Sequence, residues 1–131
     1  MGRKVQLIFL GVSIFVLSAG DGFSLVPGLV TSGPKNSTKI AFSFDDGPGP
    51  KTPEVLSILA KYKIKSSFFM QGSQLKLYPQ IAKQVAQAGH EIGNHTHWHR
   101  NFFKYKTITP EVIKKLTEDT KQPEQIILQV T

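Results

Sequence analysis

Lys39-Ile40-Ala41-Phe42-Ser43-Phe44-Asp45-Asp46-Gly47-Pro48 is an apolar run that ends in two adjacent carboxylates. Residues 39–44 read as a buried strand stopping at the acidic pair. Neighbouring carboxylates point in different directions, so one is free to hold a metal while the other handles protons. About 50 residues later, His95-Thr96-His97-Trp98-His99 sets two histidines at i, i+4. That spacing closes a metal site from one face of a helical turn or tight loop. An Asp/His/His set with a spare carboxylate beside it is suited to metal-assisted hydrolysis.

The rest of the chain alternates in the same way. Pro48, Pro50 and Pro53 start a helix whose apolar face is Val55, Leu56, Ile58, Leu59 and Tyr62. Residues 66–70 form a second short strand closed by Gly72, and residues 79–88 a second helix stopped by Gly89. Residues 90–94 form a third strand leading into the histidines. A third helix runs from residue 110 to about 120, with Thr109 as N-cap and Val112, Ile113 and Leu116 facing inward. Residues 126–130 read as a final strand. Strands separated by helical crossovers imply a parallel α/β arrangement, with chemistry at the C-terminal strand ends. Asp45-Asp46 and His95/His99 both fall on that rim.

With 131 residues there is room for one domain. Arg3 and Lys4, a weakly polar to apolar stretch over residues 5–17, and Ser18-Ala19-Gly20 have the layout of an export signal over residues 1–20. Apolar residues 23–30 leave an uncleaved membrane anchor as the alternative. Residues 21–38, rich in Gly, Pro, Asn and Ser, read as a linker, and residues 39–131 as the folded part. An exported protein is expected outside the cytoplasm: extracellular, periplasmic or wall-associated, with membrane contact only through an uncleaved N-terminus. The sequence contains no cysteine, which excludes disulfides, thiolate metal sites and cysteine nucleophiles. Its charge of +7 falls to +5 without Arg3 and Lys4. The lysines are scattered and no arginine-aromatic cluster exists, so nucleic acid is not an expected partner.

Taken singly, each motif has a plainer reading. Asp-Asp-Gly-Pro could be only a turn, and histidines at i, i+4 arise often by chance. The conjunction of both at strand ends carries the inference. His90-Glu91-Ile92-Gly93 begins like a zincin H-E-x-x-H, but Asn94 stands where the second histidine belongs, and Gly89 and Gly93 disfavour the helix it needs. His90 and Glu91 are therefore expected at a strand edge or behind the ligands, and His97 is expected to point away from the metal. Trp98 is read as hydrophobic cover, with a sugar-stacking platform as the alternative. Ser43 and Ser73 lack a nucleophile-elbow context.

Three segments carry a family resemblance. Ser43-Phe44-Asp45-Asp46-Gly47-Pro48 resembles the T/S-F-D-D-G-P signature of NodB-homology polysaccharide deacetylases, carbohydrate esterase family 4. Lys65-Ser66-Ser67-Phe68-Phe69-Met70-Gln71-Gly72 resembles that family's A-T-F-F-x-x-G strand. Residues 89–99 are similar to its G-H-E-I-x-N-H-[ST]-x-x-H segment. The resemblance implies an irregular (β/α) barrel and hydrolysis of N-acetyl groups on a glycan. It implies a divalent metal, usually zinc, held by Asp46, His95 and His99, with Asp45 as general base. Peptidoglycan is the default substrate; chitin-like polymers, chitooligosaccharide and acetylxylan stay open.

The same family uses an R-x-P-Y loop, an aspartate-tryptophan segment and a late leucine-x-histidine. The only arginines here are Arg3 and Arg100, and no histidine follows His99. The resemblance is therefore to the family's N-terminal half, about three βα units. It is expected to end near Pro123, at a frameshift or premature stop. Open strand edges, uncovered helix faces, an intact metal triad and impaired deacetylation are the consequences expected. A non-catalytic glycan- or metal-binding remnant, or a fragment needing a complementary chain, is the rival reading.

Overall fold

The computed structural model describes Asn36 and residues 38–131. The segment read as an export signal, and nearly all of the linker, lie outside the described residues. Phe42–Thr131 belong to one compact unit. Three parallel strands form its sheet in the order β1-β2-β3: β1 Ser43–Gly47, β2 Ser67–Met70 and β3 Glu91–Asn94. Helix α1, Thr52–Lys61, connects β1 to β2. Helices α2, Gly72–Leu77, and α3, Pro79–Gln87, connect β2 to β3. After β3 come a 3-10 turn, Phe102–Lys104, and helix α4, Pro110–Val130. The parallel α/β class read from the sequence is the one observed.

The central strand explains the sheet. Phe68, Phe69 and Met70 are all buried, as a strand between two neighbours and two covered faces requires. Phe68, Met70, Leu59, Leu75, Ala82, Val85 and Ile127 make the core, so every helix contributes at least one side chain to it. Fully burying each large one contributes about 1.5–3 kcal/mol. Helix α3 stops at Gly89, whose φ of +76° is the left-handed turn that glycine accepts without a Cβ clash. Helix α4 starts where Thr109 Oγ1 accepts the Val112 N–H. Among the described residues β1 and β3 each pair on one side only, and Ile58, Tyr62 and Ile113 stay exposed. Ile58 and Tyr62, expected on the apolar face of α1, and Ile113 therefore do not face the core.

Four sequence expectations are corrected. The first strand is Ser43–Gly47 rather than 39–44, so the acidic pair lies within the strand instead of after it. Pairing starts at Ser43↔Ser67 because β2 itself begins there, and Ile40 and Phe42 are exposed. Gly72 does not merely close β2 but opens α2. The third helix does not end near residue 120, and residues 126–130 are its last turns rather than a strand. Short apolar runs fit either period; here Ile127 is buried with Ile126 and Val130 packed beside it, a helical spacing.

Candidate metal centre

Parallel strands lie about 4.7–4.9 Å apart. Side chains from β1 and β3 can therefore meet only by reaching across the end of β2. On the β1 side the reach comes from a bulge. Asp45 pairs with Phe69 and Gly47 with Met70, which leaves Asp46 without a partner. Its φ of 67° turns the chain left-handed and re-aims the carboxylate. Asp46 Oδ1 comes to 3.5 Å from His95 Nε2 and 3.7 Å from His99 Nε2. One donor atom from each of the three residues lies within 4.8 Å of the others. The sequence-predicted triad is thus brought together.

The histidine side is a tight turn after β3. Thr96 and His99 have φ of 59° and 50°. That region costs L-residues of this kind roughly 1–2 kcal/mol each. Local bonds offset the cost. Asn94 Oδ1 accepts the Thr96 N–H at 2.9 Å, and Thr96 Oγ1 accepts the His99 N–H at 3.0 Å. The β2–α2 junction holds the turn from beside it. Met70 C=O accepts from His95 N–H, while Gly72 and Ser73 donate N–H groups to the Thr96 and His97 carbonyls.

Burial holds the His95 imidazole below its ordinary pKa; the Asp45 carboxylate opposes this, and His99 adds to it. The neutral ring presents a lone pair, as a metal ligand must. Asp45 is exposed and lies outside the three-donor set, close enough to act on His95. The donor chemistry, two imidazole nitrogens and a carboxylate oxygen at one point, fits a divalent metal with coordination positions left open.

His97 is buried and belongs to no ligand set, as expected, with its ring edge-on to Trp98 at 4.6 Å. Trp98 covers that ring, yet 57% of it remains exposed. His90 lies just before strand β3 rather than on a helix, and its Nδ1 accepts the Ser66 N–H. Glu91 accepts from the Ser67 hydroxyl.

Two participants escaped the sequence reading. Gln71, directly after β2, donates from Nε2 to Asp46 Oδ1 at 2.6 Å. Its position on the same rim was the available signal. Asp119, in α4, bonds the turn between the ligands; no local motif marks it.

The sheet, the bulge and the cluster define an α/β scaffold with a candidate three-donor metal site at its strand ends. The sequence profile of the polysaccharide deacetylase family matches residues 32–131. The chain belongs to the polysaccharide deacetylase family. Its match runs through α4 to Thr131, so agreement does not stop at Pro123. The chain is 52% identical over 64 residues to a peptidoglycan-N-acetylglucosamine deacetylase of Bacillus cereus, covering 48% of this chain and 30% of that one. It is 39% identical over 80 residues to a chitooligosaccharide deacetylase of Sinorhizobium fredii, covering 60% and 35%. Among solved structures it is similar to the Bc1960 peptidoglycan N-acetylglucosamine deacetylase, with a TM-score of 0.65 and 33% identity over 76% of this chain and 44% of that one. The chain spans about a third of the length of these curated relatives.

Proposed function

We propose that this chain carries the metal-binding part of a glycan N-acetyl hydrolase, with an N-acetylglucosamine polymer such as peptidoglycan as its substrate class. The convergence of Asp46, His95 and His99 over the end of β2 is the observation that carries this reading. Those three residues would hold the ion, zinc being the best match to a mixed imidazole and carboxylate set. When bound, a zinc ion acidifies water and polarises the acetyl carbonyl. Asp45 is the general base: its carboxylate, exposed beside the cluster, accepts the proton of the attacking water. Gln71 fixes the Asp46 oxygen shared by both histidine contacts, and Asn94 and Thr96 fix the turn that presents the rings. Acetate departs and a free amine stays on the sugar.

Residues 1–131 include no arginine besides Arg3 and Arg100 and no histidine beyond His99. The Arg loop and late general acid that the family resemblance implies therefore have no counterpart in them. Zinc titration of the purified 131-residue chain, followed by acetate release from an N-acetylglucosamine oligomer, tests the reading. Zinc binding with turnover far below that of a longer relative is expected. Absence of zinc binding overturns the metal assignment, and turnover equal to a longer relative's overturns the assigned shortfall.

A further inference from the structure

Asp119 is the one buried acidic residue among the described residues, and both of its bonded acceptors serve the turn that carries the ligands. Its main-chain carbonyl accepts the His97 N–H at 2.7 Å, and its Oδ1 accepts the Trp98 N–H at 3.0 Å. These two consecutive amides lie between His95 and His99. In an uninterrupted helix the carbonyl of residue 119 would be taken by the N–H of residue 123. That residue is Pro123, which has no N–H. A proline that would ordinarily weaken α4 thus releases one carbonyl at the position facing the turn. The next carbonyl, of Thr120, accepts Asn94 Nδ2 at 2.6 Å, and Asn94 in turn holds Thr96.

Packing keeps the register. Pro123 is fully buried against Gly72, where an added Cβ would fall 2.9 Å from Pro123 Cγ and 2.2 Å from His97 Nδ1. The turn is thereby held between α4 and the start of α2.

We infer that Asp119 and Pro123 form a positioning device for the metal ligands, in which the proline frees a helix carbonyl and the aspartate uses it with its carboxylate to fix the His95–His99 turn. The inference rests on the metal-site reading above. Neither residue touches the ion; both act through the His97 and Trp98 amides.

Cobalt titration of the full 131-residue chain, followed by its visible absorption, reports affinity and coordination geometry together. Asp119→Ala should weaken Co2+ binding by about tenfold or more, the usual effect of losing a group that orients a ligand, and alter the visible bands. Asp119→Asn, which keeps an oxygen acceptor for Trp98, should largely restore both. Pro123→Ala returns a helix N–H to compete for the carbonyl, so amide hydrogen exchange at His97 should quicken and Co2+ affinity fall. A folded Asp119→Ala chain with parental affinity and bands overturns the inference. Should Asp119→Ala not fold, Pro123→Ala decides: unchanged His97 exchange and affinity overturn it. A parent chain that binds no Co2+ overturns the metal reading instead.

Discussion

Asp46 Oδ1 stands 3.5 Å from His95 Nε2 although β2 separates β1, which holds Asp46, from β3, which His95 follows. The two meet because a bulge turns Asp46 out of the β1 ladder while a tight turn folds His95 and His99 back over the end of β2. Both devices put ligands in left-handed backbone, so the site stores conformational cost that a bound metal would offset.

That cost makes Asp46→Gly informative. Glycine accepts the φ of 67° without strain, so the metal-free chain should gain up to about 1 kcal/mol. The variant should lose the stabilisation that zinc gives the parent, which is about 2.7 kcal/mol at a hundredfold excess over Kd. Thermal melts of both chains with zinc and with a chelator measure the two effects.

Gly72→Ala should destabilise the chain by about 1–3 kcal/mol, the range for forcing extra volume into a packed interior. The new methyl would meet the His97 ring and Pro123, which are both buried and have little room to retreat. Urea unfolding checks this; a change below half a kcal/mol would show that the contact yields easily.

Stability should fall as pH drops below about 6.5, and His90 contributes. Burial, with Lys65 adding to it, holds the His90 pKa below its ordinary value. The unfolded chain therefore takes up a proton first, and stability declines from pH 6.5 down through the folded-state pKa. Above 6.5 neither state holds that proton and the contribution is flat. Protonating Nδ1 also removes the acceptor of the Ser66 N–H. His90→Asn keeps an acceptor that does not titrate and should flatten part of the slope between pH 7 and 5. The remainder comes from His95 and His97, whose pKa values burial also lowers. Denaturant midpoints across that range measure the difference.

Much of the site was legible locally. The acidic pair, the i, i+4 histidines and the Gly89 stop are short-range patterns, and strand-helix alternation put both halves of the site on one rim. The end of the chain was not legible. Residues 126–130 suit a strand by composition, and Pro123 suits a helix stop. Packing overrode both: Ile127 is buried in the core, and the carbonyl stranded by Pro123 found His97.

The sequence by itself determined the parallel α/β class, the family resemblance and the two histidines of the candidate site, because each depends on residue type and spacing within short segments. Only the tertiary structure decided which neighbouring carboxylate meets the histidines, that Gln71 bonds Asp46, and that Asp119 bonds the turn between the histidines. Those facts depend on a bulge that skips one ladder position and on a helix carbonyl released by proline. Both are backbone events whose consequence falls on residues distant in sequence from those that cause them.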